Sequence, residues 1–206
     1  MKRAMLAFIL CFLFVSCNGP VFIAKTENEG IRTSYGDPKM NELATQNRAA
    51  LKSIYHRYEL AKIDVYPDGI GFTALSDDQG KKHYYLLVDV RPKDISFGMG
   101  QTTPKERFNE VLLRHFEKNL RLVREEDVGM NGVEGVAFAV HWPVRDLSQC
   151  DSHGGFLEYA MIYFPKSEFL SLMRGERSFS DCIKDSEIIT SLDLKKPGAV
   201  RVVEGK

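Results

Sequence analysis

A histidine beside a carboxylate or a hydroxyl is the usual seed of acid–base or nucleophilic chemistry. The chain offers two such places. Asp151-Ser152-His153-Gly154-Gly155 carries the residue types of a hydrolytic site. Adjacent side chains diverge along a backbone, so Ser152 and His153 cannot act on one another as nucleophile and base, and a triad needs its histidine from elsewhere. No Gly-x-Ser-x-Gly elbow accompanies them, and a turn is the expected role. The second place is His141 with Glu158, on two strands that can pair across a connecting loop. A carboxylate there would favour the charged imidazole.

Metal and phosphate chemistry have less to stand on. His56, His83, His115, His141 and His153 form no His-x-His, His-Glu-x-x-His or Cys/His cluster, so no metal and no cofactor are expected. Helical spacing puts His115 on an apolar side, where packing is its expected role. Gly98-Met99-Gly100-Gln101 lacks a third glycine and a following Lys-Ser/Thr, and reads as a turn rather than a phosphate loop. No catalytic residue is assigned, and the reading leans away from an enzyme. Tyr84-Tyr85, Tyr159 and Tyr163 fall on strands, where exposed rings would suit a partner surface or a carbohydrate and buried ones would be core. Trp142 and Arg145, at the end of a strand that runs into a long loop, are the expected partner-binding residues.

The chain has 206 residues, 28 Lys+Arg against 28 Asp+Glu, and 44% hydrophobic residues of which aromatics are a substantial part. That is enough to build a core and excludes a collagen-like or wholly disordered chain. Balanced charge argues against a nucleic-acid partner.

Lys2 and Arg3 precede an uncharged run from Ala4 to Val15. As a helix it would reach about 18 Å, short of the ~30 Å hydrocarbon core. A basic start, a short apolar run and small residues before a break read as a secretory signal peptide. Phe14-Val15-Ser16-Cys17 resembles the lipobox of bacterial lipoprotein precursors, with Phe14 where leucine is commonest. The resemblance covers residues 1–17 only. It implies cleavage before Cys17, diacylglycerol on its sulfur and acylation of the new amino group. Several acyl chains attach a protein stably to a bilayer, where one is marginal. Asn18 follows the cysteine rather than aspartate, so the resemblance signals no inner-membrane retention and favours the outer membrane of the envelope.

Cys11 lies in the discarded segment and Cys17 takes lipid, which leaves Cys150 and Cys182. An even pair in an oxidising compartment is expected to form a disulfide, contributing about 3–4 kcal/mol through loop closure.

The remaining pattern predicts a tether over 17–36 after a signal peptide over 1–16, a domain over 37–194 and a tail over 195–206. Apolar residues from Met40 to Ala61 recur at helical spacing, with Asp37 as N-cap and Pro38 in the first turn. Strands are predicted at 63–66, 71–75 and 83–90, joined by short turns. Thr103-Pro104-Lys105-Glu106 is a capping box that opens a second long helix, through Val123. Strands follow at 136–142 and 156–164, then two short helices and a last strand near 188–194. The expected fold is α+β, one domain, an antiparallel sheet of five to six strands with the two long helices on one face. The expected function is a lipid-anchored envelope protein that binds another envelope component. The alternatives are an envelope hydrolase built on a His/carboxylate pair, and a small-ligand-binding or inhibitory lipoprotein.

Overall fold

A computed structural model describes residues 30–145 and 155–191. They form an α+β domain around one six-stranded sheet, with the order β1-β2-β4-β5-β6 and the short β3 paired to β4. The strands are β1 (Asp64–Ser76), β2 (Lys82–Arg91), β3 (Phe97–Gly98), β4 (Gly135–Arg145), β5 (Gly155–Pro165) and β6 (Glu187–Thr190). The helices are α1 (Pro38–Gln46), α2 (Arg48–Leu60), α3 (Pro104–Val111), α4 (Glu117–Leu120), α5 (Lys166–Met173) and α6 (Phe179–Lys184).

The caps hold as expected. Asp37 accepts from the amides of Lys39 and Met40 at 2.8 and 3.3 Å. Thr103 and Glu106 exchange both bonds of the capping box. Each long helix is nonetheless interrupted. The first breaks at Asn47, whose side-chain amide donates to the Leu43 carbonyl at 2.9 Å, competing for a helical acceptor. The second carries a π-helical turn over Leu112–Phe116 between α3 and α4.

The sheet is mixed, where antiparallel pairing throughout was expected. β1–β2, β4–β5 and β5–β6 are antiparallel, but β2 and β4 run parallel, from Leu86 opposite Val136 to Val90 opposite Val140. The helical connection through α3 and α4 carries the chain back across the sheet, so β4 starts where β2 started. The two strands predicted at 63–66 and 71–75 are one strand. Its register shifts between Val65 and Ile70, so Pro67-Asp68-Gly69 is a bulge rather than a hairpin turn. Asp68 there takes φ of 56°, and a Cβ on Gly69 would lie 2.5 Å from the Asp89 carbonyl oxygen, so the bulge presses directly on β2.

The helices pack one face of the sheet. Val136, Phe138, Val140 and Trp142 of β4 point into this core with Phe72, Val88, Ile162, Phe116 and Phe169. Burying such a side chain contributes ~1.5–3 kcal/mol. The opposite face has its own small cluster of Tyr85, Leu87, Ala137 and Tyr163, flanked by Leu75, Met161 and Ile189.

The domain begins before residue 37. Ile31 and Tyr35, expected in the tether, are 4% and 7% exposed. Ile31 bridges to Ile70 on the outer edge of β1, and the Phe72 amide donates to the Tyr35 hydroxyl at 2.9 Å. Covering an open strand edge is the physical reason for this docking. Among the described residues no helix is long and apolar enough to cross a membrane.

Candidate functional site

Strand alternation decides which chemistry-bearing residues can meet. On β4, Trp142 faces the helices and His141 faces the other way. Across the hairpin, Trp142 is opposite Glu158 and His141 is opposite Tyr159. The expected His141–Glu158 pair is therefore corrected: the two residues lie on opposite faces, because a shift of one register step moves a side chain through the sheet.

Glu158 belongs to the core. Its Oε2 accepts from Arg107 Nε at 2.8 Å and its Oε1 from Nη2 at 2.6 Å, while the Trp142 indole donates to Oε2 at 2.7 Å. Arg107 and Glu158 are 4% exposed, and the bond that Arg107 donates to the carboxylate raises its already high pKa. Of the two expected partner-binding residues, Trp142 is fully buried and Arg145 is exposed.

On the helix-free face, His141 stands in a defined cage. Its Nε2 lies 3.0 Å from Asp89 Oδ1 and 3.1 Å from Oδ2, the latter with hydrogen-bond geometry. Oδ1 is buried without a hydrogen-bond donor among the described residues. The imidazole is stacked between Tyr66, with centroids 4.3 Å apart and 14° between planes, and Tyr159, at 5.3 Å and 25°. Both His141 and Asp89 side chains are 14% exposed. The bulge of β1 brings Tyr66 here, β2 supplies Asp89, β4 the histidine and β5 Tyr159.

The Asp89 carboxylate orients the ring through Nε2, and Nδ1 has no hydrogen-bond partner among the described residues. No serine, threonine or cysteine is hydrogen-bonded to His141 among the described residues. The stacked rings occupy each other's faces, and Tyr85 and Tyr163 do the same edge-on at 5.1 Å. Arg91 and Arg145, both exposed, share this face two and four residues beyond Asp89 and His141 on their strands.

The other histidines are engaged elsewhere. His83 Nδ1 is 2.7 Å from Glu134 and its Nε2 3.2 Å from Asp77. Glu134 first, then Asp77, raises its pKa. Burial lowers the pKa of His115, a packed residue on the π-helical turn as expected. No group of three His, Cys, Asp or Glu that could hold a metal ion occurs among the described residues. Gly98 sits in β3 and Gly100, at φ of 79°, in the turn after it. Cys182 is fully buried, its thiol 3.5 Å from the Glu168 carbonyl. Cys17, Cys150, Asp151, Ser152 and His153 lie outside the described residues.

Asp89 escaped the sequence reading. Its one signal is an acidic residue inside the apolar run Tyr84-Tyr85-Leu86-Leu87-Val88-Asp89-Val90, which marks a side chain needing a partner on the less covered face. Compared with protein-family models, with curated proteins and with solved structures, the chain matches none.

Proposed function

We propose that the protein is anchored in the bacterial cell envelope by lipid on Cys17 and that its α+β domain binds another envelope component without catalysis. The observation that supports binding is the caged His141 on a sheet face that no described helix covers, stacked with two tyrosines and sharing that face with the exposed Arg91 and Arg145. It supplies donors and acceptors on rigid strands, which is what recognition needs, and no nucleophile is hydrogen-bonded to the histidine among the described residues. The anchor rests on the lipobox resemblance of Phe14-Val15-Ser16-Cys17.

The test is in-cell crosslinking followed by mass spectrometry, comparing the wild type with Arg145→Glu, Tyr159→Ser and Cys17→Ala. A specific companion that is lost from Arg145→Glu and Tyr159→Ser supports this face as the binding surface. A companion retained by both variants, or none at all, overturns it. Intact mass decides lipidation separately, since only Cys17→Ala should lack the acyl chains.

A second reading is favoured by the Asp89–His141 geometry. A carboxylate-oriented imidazole is half of a hydrolytic centre, and a substrate could bring water to Nδ1. Turnover of an ester or amide by purified protein, abolished in His141→Gln and not in Arg145→Glu, would favour hydrolysis over binding.

A further inference from the structure

A second place on the molecule combines positive charge with an apolar floor. A cleft of about 550 Å³ opens between the 31–33 segment and the α1–α2 junction. Ile31, Ala44 and Leu51 form its apolar part, and Arg32, Arg48 and the threonines Thr33 and Thr45 its polar part. Among the described residues no carboxylate lines it. By contrast, Arg57, Arg107, Arg121, Arg174 and Arg177 each face an acidic side chain.

Arg32 is held in place without being neutralised. Its guanidinium lies over the Tyr35 ring, 5.0 Å from the centroid, and its amide donates to the Ile70 carbonyl at 2.8 Å. Arg48 is exposed and makes no ion pair with a described carboxylate. Two arginines and two threonines lining one cleft suit the oxygens of a phosphate, to which arginine forms bidentate charge-assisted bonds. An apolar floor beneath adds a place for the carbon skeleton that a bare phosphate lacks.

The position of the cleft selects the source. Ile31 lines it, and the chain reaches Ile31 from Cys17 through residues 18–30. A segment of that length spans at most about 45 Å when fully extended, so in a chain anchored at Cys17 the cleft, at the point where that segment enters the domain, stays within reach of the membrane surface. We propose that the Arg32–Arg48 cleft binds the phosphate of an anionic phospholipid headgroup and so fixes how the domain sits on its own membrane. This deepens the anchored-protein reading and rests on it.

The experiment uses the full chain purified from membranes in neutral detergent. It is titrated with short-chain phosphatidylglycerol, short-chain phosphatidylcholine and inorganic phosphate, with binding followed by calorimetry. The expected result is saturable binding of phosphatidylglycerol, weaker binding of the other two, and a roughly thirtyfold loss of affinity in the Arg32→Gln/Arg48→Gln double variant, at about one surface charge's attraction per arginine. Both side chains are exposed, so the variant should unfold at the wild-type temperature. Equal binding of phosphatidylcholine, or unchanged affinity in the variant, overturns the site. Inorganic phosphate binding as tightly as phosphatidylglycerol makes it a free-anion site and overturns the lipid assignment. Intact mass of the same preparation separates the two readings. Protein without lipid on Cys17 that still binds phosphatidylglycerol sinks the anchor alone, and lipidated protein that ignores phosphatidylglycerol sinks this site alone.

Discussion

His141 Nε2 stands 3.0 Å from Asp89 Oδ1, across the parallel pairing of β4 with β2, and both side chains are 14% exposed. Two polar groups so far removed from water stabilise the fold only as a pair, since removing either leaves the other desolvated and unmatched.

A double-mutant cycle measures that dependence. Asp89→Asn and His141→Gln are each expected to destabilise the domain by about 1–3 kcal/mol in urea unfolding, with a coupling of at least ~0.5 kcal/mol. Strictly additive losses would mean that the two groups are independently solvated.

Glu158 should be more sensitive. Glu158→Ala leaves Arg107 buried without its counter-charge and the Trp142 indole without an acceptor. A loss of about 3–5 kcal/mol is expected by equilibrium unfolding, with Trp142 fluorescence as the reporter. A loss below ~1 kcal/mol would show that water reaches the pair.

The His83 clamp predicts a pH window. Glu134 and Asp77 raise the His83 pKa above its usual 6.5, so its stabilising effect is complete below pH 6.5 and fades as pH rises through the raised value. The bond to His83 lowers the pKa of Asp77 from 3.8, so that contribution is present above pH 3.8 and fades as pH falls through the lowered value. The difference in Tm between wild type and His83→Gln should be greatest between these limits and vanish at alkaline pH. A difference that persists undiminished at pH 9 would assign the effect to packing rather than charge.

The capping box gives a local control. Thr103→Ala removes the acceptor for the Glu106 amide and the hydroxyl that donates to the Glu106 carboxylate. About 1 kcal/mol of stability should be lost without change in partner binding, because α3 lies on the helical face and the proposed partner surface lies on the other. An equal effect on binding would tie the two faces together.

Much of this architecture is legible in one dimension because its causes are local. A cap needs only its own next three residues, so Asp37 and Thr103 mark their helices in the sequence itself. Apolar spacing likewise identifies β2, β4 and β5 and the face of β4 that carries Val136, Phe138, Val140 and Trp142. The sequence also carries the balanced charge and the lipobox-like residues 14–17, neither of which needs a fold to be read.

Pairing is a different matter, because it is chosen by the whole chain. The apolar run of β2 suits a parallel or an antiparallel neighbour equally, and only the route of the helical connection sets β4 parallel to it. Whether Pro67-Asp68-Gly69 turns the chain or merely kinks it depends on β2 continuing alongside, which local propensity does not encode. The register of β4 with β5 then sends Glu158 to Arg107 in the core and leaves His141 to Asp89, 52 residues away in the chain. Residue types announce that polar groups need partners; tertiary structure decides which partners, because each strand has two faces and one step of register exchanges them.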